Sequence, residues 1–134
     1  MAKGSTHDQV TMALAGVLAG AALYTGAGWL IYSALGAAAG LLLSPDLDLS
    51  NSAWKCKAWH RWNRLNLGWY WKPYGWLPHR SPISHWPVVG TAGRVIYVVP
   101  IGFWLIYLLD PVGLLAAIAG LALADTFHWL LDRL

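Results

Sequence analysis

Residues 9–45, QVTMALAGVLAGAALYTGAGWLIYSALGAAAGLLLSP, contain no formally charged side chain. As one helix they would run to about 55 Å at 1.5 Å per residue. That is nearly twice a hydrocarbon core of about 30 Å, so the stretch has to fold back on itself. Gly26-Ala27-Gly28 supplies the break and predicts a helical hairpin with arms over 6–25 and 28–43. Gly16/Gly20 on one arm and Gly36/Gly40 on the other are small residues four apart, the spacing that lets membrane helices approach closely.

The same reading extends to the far end of the chain. A second hairpin is drawn over 88–109 and 112–134, turning at Asp110-Pro111, with Pro100 inside its first arm predicting a kink. Of the 134 residues, 57% are hydrophobic and 11% are charged, against about 25% charged in a soluble domain. Disorder is excluded, since its signature is low hydrophobicity. A disulfide scaffold is excluded by the single cysteine, Cys56. Lys3 followed by an apolar run has the outline of a signal peptide, but the segment is present from Met1 and is expected to be retained. Neither end carries a lipidation motif.

The expected fold is therefore all-α: an integral membrane bundle of about four helices over residues 1–134, with hairpins at 6–43 and 88–134 and a Trp-rich interfacial loop or helix at 44–87. Residues 51–94 hold Lys55, Lys57, Arg61, Arg64, Lys72, Arg80 and Arg94 and no acid, and Lys3 and Arg133 flank the two ends. The positive-inside rule puts both termini and this loop in the cytoplasm. The expected location is a cell inner membrane or a thylakoid membrane.

Seven of the ten tryptophans fall between Trp54 and Trp86. Asn51-Ser52 reads as the cap of a helix on which Trp54, Ala58, Trp62, Leu65 and Trp69 share a face, with Lys55, Arg61 and Arg64 off it. Such a helix lies flat at a membrane surface, so membrane lipids are the expected partner. A protein partner or a second copy of the chain is the further expectation. Stacked aromatics among cations also serve nucleic acids, a reading that ranks below surface anchoring. Cys56 lies between two lysines, a setting that lowers a thiol's pKa.

Most of the remaining ionisable residues collect at one membrane face of this topology. All six acids are aspartate, and there are five histidines. His7 and Asp8 begin the first arm, and Asp46 and Asp48 follow the second. His79 and His85 precede the third, while Asp125, His128 and Asp132 end the fourth. Pro45 predicts an extended Asp46-Leu47-Asp48, whose alternate side chains point the same way. Asp125, His128 and Asp132, spaced by three and four, share a helical face.

Carboxylate and imidazole together suit a divalent transition metal, with zinc favoured over manganese or iron, and there is enough for one or two ions. The ligand candidates are His7, Asp46, Asp48, His79, His85, Asp125 and His128, with Asp132 orienting a histidine from behind. Asp48 and His85 are the candidates for catalysis. Arg80 and Arg94 are placed to hold substrate phosphate by charge-assisted hydrogen bonds. Ser84 beside His85 is a weak nucleophile candidate. The zincin motif is excluded because the chain has no glutamate, and no P-loop, dinucleotide fingerprint or nucleophile elbow is present.

Pro45-Asp46-Leu47-Asp48, His79-Arg80 with Ser84-His85, and Asp125-x-x-His128 resemble the motifs of an uncharacterised family of bacterial and cyanobacterial metal-binding membrane proteins. Gly90-Thr91 and Arg94-x-x-Tyr97 share the likeness, which covers most of the chain. More distantly, the chain is similar to the LexA-regulated, membrane-bound metal-dependent hydrolases. Those carry Pro-Asp-x-Asp, a His-Arg…Thr-His-Ser motif and an early histidine that His7 matches. Here the two histidines lie one residue further apart, and Trp86 stands where that motif ends in serine. The resemblance implies metal binding and points to hydrolysis of a phosphorylated or lipid-derived substrate. The alternatives are a non-catalytic, metal-stabilised membrane subunit that docks a partner through its Trp-rich face and, third, a tetrapyrrole protein with His85 or His128 as axial ligand.

Overall fold

The computed structural model describes residues 4–108 and 110–134, and every regular element among them is helical. Lys3 and Leu109, used above for orientation and for the end of the third arm, lie outside the described residues. The first hairpin pairs α1 (Gly4–Thr25) with α2 (Trp29–Ala39). Gly26 makes the reversal at φ 70°, a left-handed conformation that glycine adopts without a Cβ penalty.

Helix α2 is shorter than the sequence predicts. Its 11 residues reach about 16 Å, half of a hydrocarbon core. Beyond Ala39 the backbone tightens into turns, and two side chains from the loop take its free carbonyls: Arg61 donates to Leu41 O at 2.6 Å and Trp62 Nε1 to Leu42 O at 2.8 Å. Four crossings are thus not supported. Among the described residues one helix is long and apolar enough to span a bilayer.

That helix is α6 (Pro111–Leu131), which follows the long α5 (Val89–Leu108). Asp110 caps α6 by accepting from Gly113 N at 2.8 Å, with Pro111 at the first helical position. Helix α2 packs against both α1 and α6. The close approach expected within the first hairpin occurs instead between α2 and α6. A Cβ on Gly36 would run into the Ala117 backbone, and one on Gly120 into the Ser33 backbone, whereas Gly16 and Gly20 of α1 face open space.

Residues 44–87 form a second core rather than a helix lying flat. Asn51 ends a 3₁₀ turn (Pro45–Asn51), Trp54 lies outside any helix, and α3 (Lys57–Arg64) starts at Cys56, whose Sγ accepts from Trp59 N at 3.4 Å. Leu47, Ala58, Trp71 and Tyr74 are buried together, with Trp59, Trp62, Tyr70 and Tyr97 against them. Reciprocal hydrogen bonds between Tyr70 and Tyr97 tie this core to α5, and Ser50 Oγ donates to Trp71 O at 2.6 Å. Trp54, Trp69, Trp76 and Trp86 remain exposed. Burial pushes the Cys56 thiol up to about 12, the opposite of the shift its lysine neighbours suggest.

Candidate metal centre

Four elements deliver the polar residues to one place. The 3₁₀ turn begins at Ser44, which accepts from Asp46 N at 3.3 Å, and Pro45 fixes its first φ. Asp46-Leu47-Asp48 is thus coiled rather than extended. Leu47 is driven into the aromatic core, while Asp46 and Asp48 share His85 and reach His128 and His79 respectively. Arg80, at φ 63°, turns the chain into the short α4 (Pro82–His85), which ends on His85. His128 lies in the last turn of α6 and Asp132 caps it, four residues on. His7 comes from the first turns of α1 and stacks on the His128 ring, with centroids 3.9 Å apart.

Asp46, His85, His128 and Asp132 each offer one ligand atom, and these atoms all lie within 4.8 Å of one another. Asp46 Oδ1 lies 3.4 Å from His85 Nε2 and 3.5 Å from His128 Nε2. Asp132 Oδ2 lies 3.8 Å from His85 Nε2 and 3.7 Å from His128 Nε2. Most of these separations are too long for hydrogen bonds. They approach the edge of a tetrahedron around zinc, which is about 3.3–3.6 Å for bonds of 2.0–2.2 Å to nitrogen and oxygen. His128 Nε2, Asp132 Oδ2 and the neighbouring His7 Nδ1 are buried without a hydrogen-bond partner. Buried polar atoms are otherwise nearly always paired, so the donor set, spacing and unpaired atoms all fit a divalent transition metal.

A second group joins the first through His85. Asp48, whose side chain is fully buried, places Oδ1 2.9 Å from His79 Nδ1 and Oδ2 3.2 Å from His85 Nδ1. Burial opposes the charge on Asp46 and Asp48, but His128 and His85 beside Asp46, and His85 and His79 beside Asp48, outweigh it and hold both carboxyls low. Burial likewise opposes charge on His85, and the two aspartates overcome it and raise the imidazole to about 9.

The chain belongs to a family of uncharacterized metal-binding proteins. The family model, described as uncharacterized metal-binding protein (DUF2227), matches residues 2–129. No curated protein and no solved structure matches the chain. The matched span takes in His7, Asp46, Asp48, His79, His85, Asp125 and His128 and stops before Asp132.

Two candidates sit elsewhere. Asp125, expected on the ligand face of α6, instead receives hydrogen bonds from Thr91 and from Arg94, one turn deeper in the bundle. Arg94, expected to hold substrate phosphate, is wholly buried, and its other donor goes to Ser84 O. This ion pair pins α4 to α5 and α6 immediately before His85. Sequence position alone put Asp132 behind the ligands, whereas the structure places its carboxylate in the candidate cluster with Asp46, His85 and His128. Its i,i+4 relation to His128 was the available signal.

Two clefts reach the group. One, of about 340 Å³, is lined by His7, Asp46, Trp54, Lys55 and Lys57 among others. The other, of about 180 Å³, is lined by Arg80, His85, Trp86, Trp129, Asp132 and Arg133. Arg80 reaches Asp132 Oδ1 at 3.2 Å, and Arg133 lies 3.8 Å over the Trp129 ring.

Proposed function

We propose that this family member is a metal-dependent hydrolase acting on a phosphorylated or lipid-derived substrate at the cytoplasmic face of a membrane. The observation that carries the reading is the set of ligand-type atoms at near-tetrahedral spacing beside an arginine-lined cleft. A bound divalent ion, zinc by preference, supplies Lewis acidity and lowers the pKa of water toward about 7. Asp46, His85 and His128 would hold it, with Asp132 beside them. Arg80 takes substrate phosphate, with Arg133 in the place first expected of Arg94. The likeness to LexA-regulated hydrolases supports the reaction type.

Membrane attachment rests on the outward faces. Only 28% of the apolar window of α6 is buried within the molecule. Val17, Leu23 and Tyr24 of α1, Trp29, Ile31 and Leu35 of α2, and Val112, Leu115 and Leu123 of α6 are exposed. Exposed apolar side chains on three packed helices suit lipid. Lys55, Lys57, Arg61, Arg64, Lys72, Arg80 and Arg133 then face the cytoplasm.

The second reading is a non-catalytic, metal-stabilised membrane subunit. It draws on Asp132: four protein ligands close a tetrahedral site, and closed sites are structural. Cobalt-substituted protein separates the two. A shift of its visible bands on adding azide, together with release of phosphate from phosphoester substrates, is expected of the hydrolase. Bands indifferent to azide and no turnover would leave the structural subunit.

A further inference from the structure

The two polar groups differ in spacing, and the difference decides how many ions the centre holds. The Asp46 and Asp132 oxygens stand 3.4–3.8 Å from the Nε2 atoms of His85 and His128, and the group includes two buried atoms without partners. Around Asp48 the distances are those of hydrogen bonds: 2.9 Å to His79 Nδ1 and 3.2 Å to His85 Nδ1. Arg80 N also donates to Asp48 Oδ2, at 3.2 Å. A tetrahedral ion such as zinc between Asp48 and His79 would require about 3.3 Å or more between its ligand atoms, so that contact holds a proton.

From this geometry we infer that the centre is mononuclear and that Asp48 is a positioning residue rather than a ligand. Resting on the metal-centre reading above, the inference assigns each ring nitrogen. His85 Nδ1 faces two acceptors, Asp48 Oδ2 and Ser84 Oγ, the latter 3.0 Å away. The Ser84 hydroxyl proton has its own acceptor in Ser81 O at 3.2 Å. Nδ1 of His85 therefore carries a proton, and Nε2 is the nitrogen that would give its lone pair to the ion. Asp48 Oδ1 imposes the same tautomer on His79, whose ring lies edge-on to His85 with centroids 5.0 Å apart. A single buried carboxylate thus sets the orientation of both His79 and His85. Partners of this kind fix the tautomer of a ligating histidine and make it more basic, and their loss lowers metal affinity about 10–100-fold.

The test is zinc stoichiometry and affinity on detergent-purified wild-type, Asp48→Asn and Asp46→Asn proteins, with nitrogen-15 spectra of the histidine rings in the zinc-loaded state. The expected result is one zinc per wild-type chain, bound by His85 Nε2 with a proton on Nδ1. Asp48→Asn keeps that single equivalent at about 10–100-fold lower affinity, and Asp46→Asn abolishes it. Two zinc ions in the wild type, one of them lost in Asp48→Asn, would overturn the inference and leave the metal centre standing. So would coordination through His85 Nδ1. A wild-type chain that takes up no zinc, manganese or iron would sink both.

Discussion

Arg94 and Asp125 form an ion pair inside the bundle, both withdrawn from solvent, and it lies one helical turn from His128. The pair joins α5 to α6, and through Ser84 O it also holds α4. Removing one partner of such a pair leaves an uncompensated buried charge and costs about 3–5 kcal/mol. Asp125→Ala should therefore lower the thermal stability of the detergent-purified protein sharply while zinc per folded chain stays at the wild-type value. Lost zinc with unchanged stability would instead make Asp125 a ligand.

The aromatic core under the loop makes a second prediction. Trp71 is fully buried against Leu47, Tyr74 and Tyr97, so Trp71→Ala should cost about 3–5 kcal/mol. Exposed Trp54 and Trp76 make no comparable packing, and their alanine variants should stay within about 0.5 kcal/mol of wild type. Melting curves of the three variants side by side make the comparison. A uniform loss across them would contradict the core described here.

Helix contact supplies the third. Gly120 lies against the Ser33 backbone, which has no flexible end to move aside, so Gly120→Ala should force α2 from α6 and destabilise by about 1–3 kcal/mol. Gly16 meets nothing, and Gly16→Ala should leave stability unchanged or raise it by up to about 1 kcal/mol. Equal effects at the two positions would refute the α2–α6 approach.

Metal affinity should rise with pH. In the metal-free protein the His85 imidazole is raised to about 9, so near neutrality an incoming ion must displace its proton. Zinc affinity is expected to strengthen steadily from pH 6 to about 9, measured by competition with a chelator at each pH. The metal-free fold has the opposite dependence. Stability from protonated His85 is complete below about 6.5 and is lost as pH rises through about 9, because the folded value lies above the unfolded one. A zinc affinity flat with pH would remove His85 from the ligand set.

Much of this centre could be read from the chain because its spacings are local. His128 and Asp132 lie one turn apart, Asp46 and Asp48 follow a helix end marked by Pro45, and His79 and His85 bracket a proline-containing turn. The break at Gly26-Ala27-Gly28 was equally plain, since only a reversal fits so long an uncharged run. What the chain hid were long-range pairings. Nothing in the spacing of Arg94 says that Asp125 waits for it on another helix, and nothing marks Gly120, rather than Gly16, as the contact glycine. Trp71 and Trp76 lie five positions apart in the same aromatic run, yet one is core and the other surface. Composition alone assigned the run to the membrane surface because it cannot see Leu47 arriving from a distant turn to pack against it.

The central claim, a metal held by Asp46, His85 and His128 beside Asp132, is tested most directly by mass-spectrometric metal content of wild-type, Asp46→Ala and His128→Ala proteins refilled with zinc. The account predicts one equivalent in the wild type and none in either variant, all three remaining folded by circular dichroism. Equal zinc in wild type and variants, or none in the folded wild type, would contradict it.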